Sequence, residues 1–213
     1  MLLSLKNIVP HHLEKEKVAN SAVWNKTIDI TKGNRIQLVA PSGSGKTSLM
    51  HFIYGLRSDY DGDVLFENES LKNIHPTKLA AIRANKMSVI FQDLRLFNEF
   101  TVYENIAIKK QLSPFAEAMP IEAMAAALGI QNKLSQKAGT CSYGEQQRVA
   151  IIRALQQPFD MIIMDEPFSH LDEANSIKAM QLIEHAAEQR GATIILADLE
   201  PISFFKAHQQ IHL

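Results

Sequence analysis

The chain lacks most features that would place a protein in a membrane or in an oxidising compartment. Its 213 residues include one cysteine, Cys141, so an internal disulfide is impossible and a reducing compartment fits. No unbroken apolar run is long enough to span a bilayer. Residues 1–17 have neither a basic start nor a sustained apolar stretch, which argues against a signal peptide. Any link to a membrane is therefore expected to run through a partner.

An excess of charge of either sign is also missing. The net charge is −1, so no global field attracts the chain to nucleic acid or to anionic lipid. The hydrophobic fraction of 46% and the charged fraction of 21% are ordinary for a soluble globular protein. A length of 213 residues allows one large domain or a core with a smaller lobe.

Candidate strands and helices alternate outside one helical section. Apolar or alternating segments predict strands at 2–9, 18–30, 36–39, 62–67, 87–91, 161–164, 193–197 and 210–213. Helices are predicted at 46–56, 76–84, 117–128 and 173–190. This order predicts an α/β core with a mainly parallel sheet and an antiparallel β edge at the N-terminus. An Ala- and Met-rich section predicts a helical lobe, about 94–157, inserted into a single-domain core of 1–93 and 158–213.

Residues 40–47, APSGSGKT, lie between a predicted strand and a predicted helix, the layout that a phosphate-binding loop requires. Glycines let backbone N–H groups turn inward onto phosphate oxygens, and the helix N-terminus adds positive potential. The Lys46 side chain can reach the β- and γ-phosphates, and the Thr47 hydroxyl can bind Mg²⁺. The pattern GxxxxGK[ST] fails at its first letter, where Ala40 replaces glycine. The predicted nucleotide-binding residues of this loop are Ser42, Gly43, Ser44, Gly45, Lys46, Thr47 and Ser48.

The predicted strand at 161–164 ends in two carboxylates, Asp165 and Glu166. The carboxyl edge of a parallel sheet is where ligands bind in such folds. Asp165 is predicted to hold Mg²⁺, and Glu166 to orient or deprotonate an attacking water. Each motif alone has a structural alternative: a Gly/Ser turn before a helix that carries lysine, or a strand followed by an acidic turn. The two motifs together favour a nucleotide site with Lys46 and Glu166 as catalytic residues.

Five motifs occur in one order along the chain. They are the phosphate loop at 40–47, VIFQD at 89–93, CSYGEQQRVAIIRAL at 141–155, MIIMDEP at 161–167 and SHLD at 169–172. In this order they resemble the nucleotide-binding subunit of ATP-binding cassette (ABC) transporters, over essentially the whole chain. The resemblance implies a P-loop NTPase fold, ATP and Mg²⁺ as cofactors, and hydrolysis by a sandwich dimer.

The resemblance also implies partners and a place in the cell. The expected partners are integral membrane permease subunits and a second copy or a paralogous ATPase subunit, with no nucleic acid. The expected location is cytoplasmic, peripheral on the inner face of the cell membrane. The chain is most similar to small exporter-side subunits such as the lipoprotein-release and macrolide-export group, and amino-acid importer subunits are also similar. A P-loop ATPase outside transport is a third hypothesis, but the long coiled coils or paired cassettes of such ABC proteins are missing from this sequence.

The same resemblance assigns roles to residues outside the phosphate loop. Gln92 matches the Q-loop glutamine, which touches Mg²⁺ and the attacking water and joins the core to the helical lobe. Ser142 and Gly144, followed by Glu145, match the signature motif that contacts the γ-phosphate of ATP held by the opposite subunit. Asp172 matches an aspartate that helps to link the two sites, with a simple helix cap as the alternative.

Several letters depart from the family pattern. Tyr143 replaces a signature glycine, where the ring either points outward or hinders closure. Ala197 stands where the family has its switch histidine, and a methyl group cannot donate a hydrogen bond to phosphate. His170 replaces a small residue. These departures motivate a second hypothesis, a weakly or non-hydrolysing ATP-binding subunit that acts as a nucleotide-gated dimerisation module.

The platform for the adenine base is altered as well. The family often places an aromatic side chain shortly after the first strand, whereas this chain has PHHL at 10–13. His12 can stack on a base, although adjacent histidines in a polar turn are more often solvated. Trp24 is predicted to lie in the core or on a lobe surface rather than under the base.

Overall fold

The computed structural model describes residues 1–115 and 117–213. The strands are β1 Leu3–Pro10, β2 Thr27–Ile30, β3 Arg35–Val39, β4 Tyr60–Phe66, β5 Glu69–Ser70, β6 Met87–Ile90, β7 Met161–Asp165, β8 Thr193–Asp198 and β9 Gln209–His212. The helices are α1 Lys15–Asn20, α2 Lys46–Ile53, α3 Pro76–Asn85, α4 Val102–Leu112, α5 Ile121–Ala127, α6 Tyr143–Leu155 and α7 Glu173–Arg190. Two short 3-10 turns, Gln131–Lys133 and Ala138–Thr140, precede α6.

The strands form two sheets of different type. A five-stranded sheet has the order β6-β7-β8-β3-β9, and every neighbouring pair in it is parallel. A four-stranded sheet has the order β2-β1-β4-β5 and is antiparallel throughout. The predicted α/β fold, with a parallel core sheet and an antiparallel N-terminal part, is therefore confirmed. The division into a core and a lobe at 94 and 157 stays a prediction.

One predicted strand is wrong over most of its length. Residues 18–30 were expected to be extended, but α1 occupies Lys15–Asn20 and only Thr27–Ile30 forms a strand. The charged segment KEKVAN suits a short helix because it has no period-two alternation of apolar residues. Between the two elements, Val23 and Trp24 are fully buried, so the chain turns inward here instead of following a sheet.

The apolar core covers both faces of the parallel sheet. Along β7, Ile162 and Met164 belong to a cluster shared with α4, α5, α6 and α7, whereas Met161 and Ile163 belong to a cluster shared with α2. Because side chains alternate along a strand, Asp165 continues the face that α2 covers. The core thus directs that carboxylate toward the start of α2. Within the described ranges, no helix has the length and apolarity needed to cross a membrane.

Candidate nucleotide site

The phosphate loop joins the end of β3 to the start of α2 and is supported from below by Trp24. Gly43 and Gly45 have φ values of 77° and 95°, and Gly45 is the N-cap of α2. A Cβ atom on Gly45 would lie 2.9 Å from the Trp24 ring, so this position has room for glycine alone. The Trp24 indole N–H also donates to the Ser44 carbonyl over 3.0 Å. The prediction of a core role for Trp24 is confirmed, but no sequence pattern indicated that its ring supports the loop.

Lys46 lies between the two carboxylates at the end of β7. Its side chain is only 7% exposed, and its Nζ lies 3.4 Å from Asp165 Oδ1 and contacts Glu166 Oε1. A buried ammonium group is tolerated where opposite charges surround it. The chain therefore holds one lysine and two acidic groups in a compact, largely buried cluster at the sheet edge.

The donors next to this cluster fit Mg²⁺. The Thr47 hydroxyl donates to Asp165 Oδ2 over 2.9 Å, while the buried Asp165 Oδ1 accepts no hydrogen bond within the described chain. Hydroxyl and carboxylate oxygens are hard donors, which Mg²⁺ prefers, and it keeps water and phosphate oxygens as its other ligands. Across residues 1–115 and 117–213, no group of three His, Cys, Asp or Glu forms a metal site. Because Mg²⁺ keeps water and phosphate oxygens as ligands, the pair of Thr47 and Asp165 suits a metal that arrives with a phosphate.

Glu166 is held in an unusual backbone conformation at the centre of the site. Its φ is 47°, a left-handed value that is costly for a residue with a side chain. Its backbone N–H donates to the Ala197 carbonyl over 2.9 Å, and Gln92 Nε2 donates to its Oε2 over 3.4 Å. Non-glycine residues in such conformations are concentrated at functional sites.

The residues at the start of α6 form a cap of their own. Ser142 Oγ accepts from the Glu145 N–H over 3.3 Å, and Glu145 Oε2 accepts from the Ser142 N–H over 2.8 Å. The second of these bonds is the main reason that the pKa of Glu145 is lowered. A capped helix N-terminus presents positive potential to an anion. Neither Ser142 nor Glu145 lines the cavity of about 360 Å³ that the phosphate loop forms with Gln92 and Glu166.

Comparison with known proteins identifies this arrangement. The family model described as ABC transporter matches residues 24–169. The chain belongs to the ABC transporter family. It is an ATPase domain of that family, with the P-loop NTPase fold.

Named relatives and solved structures agree with this membership. The chain is 35% identical over 170 residues to the lipoprotein-releasing system ATP-binding protein LolD of Syntrophotalea carbinolica, covering 78% of this chain and 75% of that protein. It is 32% identical over 200 residues to LolD of Roseobacter denitrificans, covering 92% and 88%. A dimeric structure of the ATP-binding cassette MJ0796 in a post-hydrolysis state, bound to ADP and Pi, matches with a TM-score of 0.82 and 27% identity, covering 100% and 94%.

Ala197, where the family resemblance predicts a switch histidine, faces the phosphate side of the sheet. Ala197 is the register partner of Asp165 in the parallel pair β7–β8, so both side chains project from the same face of the sheet. Ala197 is fully buried and carries no polar atom on its side chain. The next residue, Asp198, is partly buried, and this burial raises its pKa. The side chain at residue 197 therefore cannot donate a hydrogen bond to a phosphate.

Two other departures from the ABC pattern contact each other. The rings of Tyr143 and His170 are 4.2 Å apart between centroids, at an interplanar angle of 67°. Between them the backbones are close, because a Cβ atom on Gly144 would lie 2.7 Å from the His170 carbonyl oxygen. Tyr143 therefore packs on His170 of its own chain while it stays partly exposed, and the glycine at residue 144 is required within the single chain.

On the base side, the cavity contains a histidine but no phenyl, phenol or indole ring among its lining residues. His12 and Leu13 line it together with the phosphate loop and Leu199. His12 Nε2 lies 3.2 Å from the Ser48 hydroxyl, which orients the imidazole. His12 is thus the aromatic side chain among the residues that line this cavity.

Asp172 lies at the start of α7. Asp172 caps α7 by accepting from the Asn175 N–H over 2.8 Å, which fits the alternative of a simple helix cap.

Gln147 is a residue of the site that the sequence motifs did not indicate. It is 1% exposed, and its amide donates to the Glu166 carbonyl over 3.2 Å. No local pattern marks one glutamine of a pair as buried, so only the packing of α6 reveals it.

Proposed function

We propose that this chain binds ATP with Mg²⁺ and hydrolyses it as a sandwich dimer that drives membrane-embedded partner subunits. The observation that carries the proposal is the convergence of Lys46, Thr47, Asp165 and Glu166 at one sheet edge. A lysine, a hydroxyl and two carboxylates beside a glycine-rich loop are the groups that phosphoryl transfer requires.

Each residue of the cluster has a task in this proposal. Lys46 leaves its carboxylate partners to bind the β- and γ-phosphates, and the loop N–H groups hold the remaining phosphate oxygens. Thr47, Asp165 and Gln92 would hold Mg²⁺. When bound, this ion would neutralise negative charge on the phosphates. Glu166, released from Lys46, orients or deprotonates the attacking water.

The other half of each site comes from a second subunit. Ser142, Gly144 and Glu145 stand at a capped helix start, away from the phosphate cavity of their own chain. A helix N-terminus offers N–H groups and positive potential to an incoming γ-phosphate. The dimeric MJ0796 structures support pairing, either with a second copy or with a paralogous ATPase subunit.

The names of the relatives support the proposed partners and location. The LolD proteins are named as ATP-binding proteins of a lipoprotein-releasing system. We propose that this chain lies on the cytoplasmic face of a membrane, attached through permease subunits.

Phosphate release by the purified protein tests the enzymatic part. Glu166→Gln should lower the rate by about a hundredfold or more, because the general base is lost while the shape is kept. ATP binding should persist, and the chain's one tryptophan, Trp24, reports it by fluorescence because its ring lies against the phosphate loop. Glu184→Gln is a matched control, since Glu184 pairs with Arg35 outside the site. Activity that survives Glu166→Gln unchanged would falsify the proposal.

Dimerisation requires a separate measurement. With ATP bound, Glu166→Gln should elute as a dimer in size-exclusion chromatography, because the nucleotide is not consumed. Adding Ser142→Arg should return it to a monomer while the Trp24 response to ATP remains. A dimer that persists with Ser142→Arg contradicts the sandwich arrangement.

A second candidate function is ATP-gated dimerisation with little turnover. The buried methyl group of Ala197, in register with Asp165, favours it, because no donor is available there for a developing charge. Ala197→His should then raise the hydrolysis rate about tenfold or more. A wild-type rate that already matches other ABC ATPases, and does not rise with Ala197→His, excludes this candidate.

A further inference from the structure

Tyr143 joins three separate segments of the site within one chain. It is the first residue of α6, and its side chain remains 45% exposed. Its hydroxyl donates to the Gln92 carbonyl over 3.2 Å, and its ring packs edge-to-face on His170. The tyrosine therefore spans from the signature to the Q-loop on one side and to the SHLD segment on the other.

The same three segments meet again at Glu166. Gln92 Nε2 donates to Glu166 Oε2 over 3.4 Å, and Gln147 Nε2 donates to the Glu166 carbonyl over 3.2 Å. Gln147 Oε1 accepts from the His170 N–H over 3.0 Å. Because His170 also contacts Tyr143, these contacts form a closed ring, which runs Tyr143, Gln92, Glu166, Gln147, His170 and back to Tyr143.

Tyr143 is the member of this ring that links α6 to Gln92. The start of α6 is already fixed against the SHLD segment, since the Gly144 backbone lies against the His170 carbonyl. Farther along α6, Arg153 donates to the Leu94 and Arg95 carbonyls and so holds the end of the Q-loop. At Gln92 itself, the contact from α6 within the described residues is the phenol hydroxyl. A glycine at residue 143 would leave the Gln92 end without this link.

We propose that Tyr143 is a positioning residue for hydrolysis at the phosphate site of its own chain. It holds the Gln92 backbone so that the Gln92 amide stays on Glu166. This assignment rests on the hydrolytic role proposed for Glu166. The Tyr143 side chain then acts on the phosphate site of its own chain. A glycine at residue 143 has no side chain that could do so.

Removal of the hydroxyl alone is the first test. Tyr143→Phe keeps the ring on His170 and deletes the bond to Gln92, so kcat should fall about fivefold while KM for ATP changes less than about twofold. Tyr103→Phe is the matched control, because Tyr103 is 44% exposed and its hydroxyl has no hydrogen-bond partner within the described residues. A rise in kcat with Tyr143→Phe or Tyr143→Gly overturns the proposal and shows that the side chain obstructs closure.

A double-mutant cycle tests whether Tyr143 acts through Gln92. In a Gln92→Ala background the residue 92 carbonyl remains but its amide is gone, so Tyr143→Phe should cost less than about twofold in kcat. A further fivefold loss in that background overturns the proposal, because the tyrosine would then act by another route.

Hydrogen exchange gives a readout that does not need turnover. Tyr143→Phe should speed amide exchange in segment 92–95 about fivefold, with α4 unchanged. If wild-type protein releases no phosphate, the proposed hydrolysis is wrong. Amide exchange then tests by itself whether Tyr143 holds the Gln92 backbone. Faster exchange in segment 92–95 supports it, and unchanged exchange overturns it.

Discussion

The phosphate side and the signature side, which we propose as the two halves of a nucleotide site, are built in different ways. On the phosphate side, Lys46, Thr47, Asp165 and Glu166 contact one another inside a single chain. On the signature side, the polar groups of Ser142 and Glu145 serve the cap of their own helix. A capped helix start is stable by itself and still presents the positive end of the helix dipole. The clustered charges, in contrast, pair with one another until a ligand separates them.

Because of this difference, we expect substitutions on the two sides to affect ATP binding and hydrolysis in different ways. Substitutions on the phosphate side remove groups that a nucleotide would bind directly. Substitutions on the signature side first change the fit of α6 against the SHLD segment, and in the proposed sandwich dimer they would affect ATP through dimer closure. The two sides contact each other through Tyr143, Gln92 and Gln147, so substitutions on each side can test how far they act separately.

The largest effect is expected from Lys46→Ala. It removes the phosphate-binding cation and leaves Asp165 and Glu166 without their buried partner, so phosphate release should fall more than about a hundredfold. Lys78→Ala is the control, since Lys78 pairs with Glu69 at an exposed site. ATP titration by Trp24 fluorescence should show lost binding for Lys46→Ala alone. If only the rate falls and binding stays intact, the phosphate side is not the binding half.

Gly144→Ala should be the most destabilising change on the signature side. The added methyl group would lie 2.7 Å from the His170 carbonyl oxygen, which costs about 2–3 kcal/mol of folding free energy. Gly129→Ala meets nothing within 4 Å and carries only the strain of its φ of 68°, so it should cost about 1 kcal/mol. Urea denaturation measures both. An increase in stability for Gly144→Ala, as helix propensity alone would give, contradicts the close backbone contact.

A smaller effect is expected from Trp24→Phe. Phenylalanine keeps an apolar ring beneath Gly45 but lacks the N–H that donates to the Ser44 carbonyl. The Kd for ATP should rise about three- to tenfold, because one hydrogen bond that shapes the phosphate loop is lost. Isothermal titration calorimetry measures the Kd without the tryptophan signal. An unchanged Kd would mean that the loop keeps its shape without this bond.

The smallest effect concerns pH and the cap of α7. The hydrogen bond from the Asn175 N–H lowers the pKa of Asp172 below its ordinary value of 3.8. The unfolded chain thus takes up the proton first, so the charge stabilises the fold above pH 3.8 and its contribution is lost as pH falls through the lowered pKa. Asp172→Asn keeps the cap without the charge. Asn and Asp cap helices about equally well, so its Tm should lie only about 1 °C below wild type at pH 7, and the two should converge on acidification.

Much of the phosphate side could be predicted because its chemistry is local. The loop at 40–47 and the Asp165-Glu166 pair each combine residue types and spacing that serve one purpose, and the parallel sheet brings them together. The error at 18–30 arose where a short charged helix precedes a buried Trp24, since local propensity carries little information about such a turn. The lobe boundaries, and the roles given to the signature residues across a dimer, remain predictions.

The family, the order of the motifs and the departures at Tyr143, His170 and Ala197 are all visible in the amino-acid sequence. The residues that those departures contact are visible only in the folded chain. Tyr143 and Gln92 are 51 residues apart, and His170 and Gln147 are 23 apart. Contacts over such separations depend on how strands and helices pack, which no local pattern encodes. The folded chain therefore turns an apparent defect of the signature into a contact with its own Q-loop.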